Sequence, residues 1–169
     1  VAPKSLAQLV VVERLRGTAT TDFGAPAVAP TADRDRSCEA ATRRQFEKIL
    51  RAAWRAFDEA VAAARGKTLT TGPRGGGRSL DGIVSHVIGA DGGYLGAVGW
   101  KAPRATTPRE QLATTREAIL AALEASATGQ IPARGPRGGN RWTARYFVRR
   151  VAWHVVAHLW EVERRATPP

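Results

Sequence analysis

The sequence predicts an all-α fold, an antiparallel up-down-up-down four-helix bundle with a short N-terminal strand and linker extension. Three observations carry that expectation. Four windows between residues 38 and 165 repeat apolar residues at spacings of three and four, as a helix with one buried face requires. Segments rich in glycine and proline separate the windows. Their modest length favours antiparallel neighbours.

Taken in order, residues 6–15 (LAQLVVVERL) hold the β-branched run Val10, Val11 and Val12 and stop at Gly17, a pattern that favours a short strand. Residues 17–32 mix Thr, Gly, Ala and Pro without periodicity and read as a linker. Residues 1–32 thus form one unit, the strand and linker, and a single strand needs a partner. The main domain, another chain, or a larger N-terminal domain of which this is the remnant would each supply one. Residues 33–169 form the bundle.

Helical texture begins at Asp33, and the first helix places Phe46, Ile49, Leu50, Ala53, Trp54, Phe57 and Val61 on one face before Gly66 stops it. Ser79 is the expected N-cap of a second helix over residues 79–99, whose apolar side carries Leu80, Ile83, Val84, Val87, Ile88, Tyr94 and Leu95. Gly82, Gly89, Gly92 and Gly93 weaken that helix by propensity and would permit close approach of a neighbour. Pro108 suits the entry of a third helix (residues 109–127; Leu112, Ile119, Leu120, Leu123) and Gly129 its exit. A fourth helix, from Thr143 to Arg165, is apolar around most of its circumference and should be central. In simple alternation, helices two and four run parallel. Each follows the pentapeptide GPRGG, at 72–76 and 135–139, and neither copy has the lysine and serine or threonine of a phosphate-binding loop.

Composition narrows the function classes. Hydrophobic residues at 43% and charged residues at 24% are those of a folded globular chain rather than a disordered one. The excess of 26 Lys and Arg over 15 Asp and Glu admits a nucleic-acid partner. However, the arginines are dispersed and no helix-turn-helix, zinc-finger or RNA-recognition signature occurs, which argues against that reading. The single cysteine, Cys38, excludes an internal disulfide and points to a reducing, cytoplasmic setting. No apolar run is long enough for a membrane partner.

Three histidines occur, His86 in the second helix and His154 and His158 in the fourth. The HxxxH pair falls on one helix face, so both imidazoles can converge on one point, and His86 would be the third nitrogen. No cysteine lies near to complete a structural zinc site, so a fourth coordination position stays open to a ligand. Imidazoles suit zinc, nickel, copper or iron. Glu161 lies on the side of the pair and is placed to orient an imidazole or act on the ligand; otherwise it is a solvated charge beside Arg164 and Arg165. Arg150, one turn before His154, would meet an anionic substrate group, or else lie on the surface. Asp91, beyond His86, is similarly ambiguous. One offset remains: His86 falls about 10 Å into its helix and the middle of the pair about 20 Å into its own. Parallel helices would have to absorb that difference.

The segments GGRSLDGIVSHVIGADGGYL and RRVAWHVVAHLWEVERR, a histidine in the second helix and HxxxH followed by Trp-Glu in the fourth, resemble the DinB-like superfamily over roughly Asp33 to Arg165. That superfamily includes mycothiol- and bacillithiol-dependent transferases and maleylpyruvate isomerases. The resemblance implies a divalent metal, usually zinc or nickel, on His86, His154 and His158. It further implies a low-molecular-weight thiol, of mycothiol type, that loses its proton and attacks a small-molecule electrophile. Two other expectations stand beside it: a non-catalytic interaction or regulatory module whose N-terminal strand contacts a partner, and, more weakly, a basic nucleic-acid binder. A homodimer is compatible with each.

Overall fold

The computed structural model describes residues 5–21, 25–26, 28–31, 38–71 and 77–167. Four helices dominate: α1 (Ala40–Ala64), α2 (Leu80–Val98), α3 (Pro108–Ala127) and α4 (Ala144–Arg165). The sequence signals account for their ends. Ser79 caps α2 by accepting the Gly82 amide at 3.1 Å, and Thr143 caps α4 by accepting that of Tyr146 at 3.3 Å. Pro108 opens α3 behind a capping box between Thr107 and Glu110. Gly99, at φ +84°, ends α2 in the left-handed region that other residues rarely adopt, while the Trp100 amide reaches back to the Leu95 carbonyl. The start of helical texture at 33–37 and the first GPRGG, at 72–76, lie outside the described residues.

The expected all-α four-helix bundle is present, and α4 is central in it, with α1 on one side, α2 on the other and α3 touching all three. Phe57, Phe147, Leu50, Ile83, Leu95, Ile119 and Leu123 are fully buried at their junction. Each such side chain removed from water stabilises the fold by about 1.5–3 kcal/mol.

The helix directions differ from simple alternation. The Trp142 amide donates to the Ala97 carbonyl, Tyr94 stacks beside Trp142, His86 faces His154, and Arg165 donates to the Arg78 carbonyl. Rising numbers on α2 therefore meet falling numbers on α4, and the two are antiparallel rather than parallel. Arg145 lies over Phe46, so α4 runs with α1. Arg43 pairs with Glu124, which brings the end of α3 to the start of α1. The order is up, down, down, up. The physical reason lies in residues 99–107, which can span about 30 Å when extended, the length of α2 at ~1.5 Å per residue. Trp100 and Ala102 pack on the core along this crossing. Such a length permits a parallel crossover as readily as a hairpin. Gly77 adjoins Arg165 at one end of the bundle, whereas the second GPRGG sits beside Arg141 at the other.

The N-terminal strand expected at residues 6–15 does not form. Leu6–Gln8 is a 3-10 turn, and residues 9–16 make no ladder with the described residues. Leu6, Leu9, Val10, Val11 and Val12 remain exposed. A β-branched run favours extended backbone, but a strand exists only where a neighbour takes up its amides and carbonyls. Among the described residues the strands are the two-residue β1 (Thr68–Leu69) and β2 (Ala166–Thr167), paired antiparallel just beyond α1 and α4. The helical glycines also behave differently from expectation. Gly89, Gly92 and Gly93 lie on the exposed face of α2, and a Cβ on any of them would meet nothing within 4 Å. They accommodate no neighbour. Gly92→Ala should therefore stabilise the protein by about 0.5–1 kcal/mol, measured by urea unfolding.

Asp91 shares the buried face of α2 with Val87 and Leu95, and neither carboxylate oxygen has a hydrogen-bond partner among the described residues. Burial pushes its carboxyl up to about 7, against the opposing charge of Arg116. From about pH 4 to pH 7 the folded chain thus keeps a proton that the unfolded chain has released, and stability falls as pH rises through that window. Between about pH 5 and about pH 8, wild type should lose about 2–3 kcal/mol relative to Asp91→Asn in urea unfolding. Parallel losses in the two proteins would remove Asp91 as the titrating group.

Candidate metal centre

The antiparallel packing of α2 on α4 resolves the offset between the histidines. His86 sits near the beginning of α2 and the HxxxH pair lies past the middle of α4, so opposed directions bring them level. The three ring centroids are 4.5–5.1 Å apart. The Nε2 atom of His154 lies 3.3 Å from that of His86 and 3.1 Å from that of His158. One nitrogen from each ring falls within 4.8 Å of the others. Zinc–nitrogen bonds of ~2.0–2.1 Å at a tetrahedral angle place such nitrogens about 3.3 Å apart. The triad could hold a metal ion.

Its electrostatics suit the same use. His154 is 7% exposed, and its pKa is brought down to about 3 by burial, then by the His158 and His86 imidazoles and by Arg150 and Arg78. Burial and Arg78 also lower His86, with Glu161 opposing. Imidazoles that resist protonation keep the lone pairs a metal requires. Lone pairs aimed at one point repel unless a proton or cation lies between them. The Nδ1 of His154 is buried without a hydrogen-bond partner among the described residues. His86 and His158 are half-buried, so the cluster opens to solvent on one side.

Glu161 is held between His158 and Arg165. Its Oε2 accepts from His158 Nδ1 at 2.7 Å, which leaves His158 Nε2 as the lone-pair atom. Its Oε1 accepts from Arg165 Nη1 at 2.5 Å. Burial raises the Glu161 carboxyl, but the hydrogen bonds from His158 and Arg165 outweigh it and the net shift is downward, so the group stays ionised. Arg165 is itself buried. Its Nε donates to the Thr70 carbonyl and its Nη2 to that of Arg78, tying α4 to both ends of the α1–α2 connection. Gly77 makes room for it: a Cβ there would collide with the guanidinium. The sequence signal for this residue was its position four beyond Glu161, which first reads as a surface ion pair.

Arg150 is half-buried rather than on the surface. Its guanidinium stands 5.2 Å from the Tyr94 ring, 5.5 Å from Trp153 and 5.9 Å from Trp142. Tyr94 in turn sets its ring edge-on to His154 at 5.6 Å. Asp91 points into the core and has no contact with the triad. Cys38 is half-buried at the far end of the bundle, where it lines a cavity of about 450 Å³ with Trp142 and Arg145. That end is about 15 Å along α4 from His154. Burial raises its thiol, with Arg145 and Arg43 opposing, the reverse of what a nucleophile needs.

Glu161→Ala should weaken metal binding about 10–100-fold, read by competition with a chromogenic chelator. Unchanged affinity would reduce Glu161 to a partner of Arg165. Comparison with protein-family models, with curated proteins and with solved structures finds no match to this chain.

Proposed function

We propose that this protein binds one divalent metal ion, zinc or nickel, on His86, His154 and His158, and uses it to activate a low-molecular-weight thiol against a small electrophile. The observation that carries the reading is the convergence of three Nε2 atoms, one buried and two half-buried, with the fourth side left to solvent. Closed four-ligand sites are structural, whereas three protein ligands and an open position belong to catalytic sites. A bound ion would supply Lewis acidity that makes a thiolate available near neutral pH. The chain's own contribution is to keep the His86 and His154 imidazoles neutral, to orient His158 by the hydrogen bond of its Nδ1 to Glu161, and to exclude water around His154 by burial. The resemblance to the DinB-like superfamily in the two histidine segments supports the choice of thiol chemistry.

A second reading, a non-catalytic interaction module, draws support from the exposed apolar run Leu9 to Val12. Two measurements separate them. Elemental analysis should give about one metal ion per chain for wild type and a loss to near zero for His154→Ala. Metal retained at wild-type stoichiometry in the variant would eliminate the triad. With metal confirmed, consumption of a thiol with a generic aryl halide should depend on the metal and disappear in His154→Ala. Absence of metal-dependent turnover across several thiols would favour the module.

A further inference from the structure

Arg150 is a half-buried guanidinium whose donors are largely unanswered among the described residues. Its Nε and Nη1 are enclosed and have no hydrogen-bond partner, and Nη2 makes only a 3.4 Å contact with the Tyr94 hydroxyl. No carboxylate of the described residues forms an ion pair with it, although the same helix spends Glu161 on Arg165 and the neighbouring α3 pairs Arg116 with Asp58 at 2.7 Å. The rings of Tyr94, Trp142 and Trp153 lie 5.2–5.9 Å from the guanidinium carbon. Aromatic faces offset part of the cost of desolvating a cation but satisfy none of its in-plane N–H donors. An oxyanion arriving from solvent would supply the countercharge and an acceptor. Arg150 keeps partial exposure, so such a group can reach it. Its position relative to the triad is set by geometry: one helical turn, ~6 Å, separates it from His154 on the same helix, and Tyr94 touches both.

We propose that Arg150, framed by Tyr94, Trp142 and Trp153, is the anion-recognition residue of the histidine site. The ligand it selects is a small molecule carrying a carboxylate or similar oxyanion a few bonds from the atom that meets the triad. This rests on the metal reading for the second half of the ligand but not for the first. The anionic group belongs either to the thiol or to its reaction partner, and the test distinguishes these sources.

Cobalt-loaded protein would be titrated with 3-mercaptopropionate and with its neutral counterpart 3-mercapto-1-propanol, following the cobalt–thiolate charge-transfer band. Metal-free protein would be titrated with succinate, following tryptophan fluorescence. Wild type should prefer the anionic thiol by about tenfold, the discrimination expected of one charge-assisted contact. Arg150→Gln should abolish the preference and Arg150→Lys should keep part of it. A succinate response that Arg150→Gln removes, without any thiol preference, would assign the anion to the reaction partner and equally support the proposal. Preferences and succinate responses that are the same in wild type, Arg150→Gln and Arg150→Lys would overturn it. Failure of cobalt to bind would count against the metal reading alone, since the succinate arm still reports on Arg150.

Discussion

The seam between α2 and α4 sets everything else in the molecule. It is clasped at both ends by groups that touch backbone: the Trp142 amide on the Ala97 carbonyl at one end, and the Arg165 guanidinium on the Arg78 carbonyl at the other. Between two fixed ends an antiparallel pair has one register. That register puts His86 opposite the HxxxH pair and Tyr94 opposite Arg150. A shift of α2 by one turn, ~5.4 Å, would carry His86 past both partners. The site is therefore a consequence of helix packing, with each functional side chain placed by a rigid element rather than a loop.

Much of this was legible in the sequence, and the part that was not has a definite cause. Helix extents followed from Ser79, Thr143, Pro108 and the glycines because capping is local chemistry. The histidine triad followed from the four-residue spacing plus one further histidine, because helical periodicity fixes which residues share a face. Direction did not follow. Nothing local distinguishes a connection that turns back from one that crosses the bundle when its extended length matches the helix. The offset between His86 and the pair was the one clue: it is awkward for parallel helices and natural for opposed ones. The strand expected at Val10 to Val12 failed for a related reason, since propensity describes a residue and pairing describes a neighbour. Arg150 looked like surface because only the fold brings Tyr94, Trp142 and Trp153 around it.

Polar groups buried without partners are costly, and this small bundle concentrates several of them on α2 and α4. Asp91, the Nδ1 of His154 and the Nε and Nη1 of Arg150 all lack hydrogen bonds within the described residues. They do not have the same meaning. Asp91 lies on the buried face of α2 with Val87 and Leu95, and burial raises its pKa so that it keeps its proton. A guanidinium has no such recourse, because it does not deprotonate in proteins. Its cost is relieved only by an acceptor. The imidazole cluster is intermediate: lone pairs aimed at one point repel, and a proton or a cation between them relieves that. In the proposed site, two neighbouring groups on one helix gain their partners, a cation at the triad and an anion at Arg150.

That complementarity constrains what the pair can recognise. A cation at the triad and the fixed positive charge of Arg150 would give one small pocket a doubled positive field, softened by the single carboxylate of Glu161, which is already engaged by Arg165. Neutral ligands gain little from such a field, whereas a ligand with two separated electron-rich ends gains at both. Tyr94 lies against both groups, edge-on to His154 and under the Arg150 guanidinium. The arginine does more than attract. Burial, then the neighbouring imidazoles and Arg150, lower the affinity of His154 for a proton and leave its lone pair free. On the proposed reading one residue, placed a turn away on a shared helix, bears on both halves of the site.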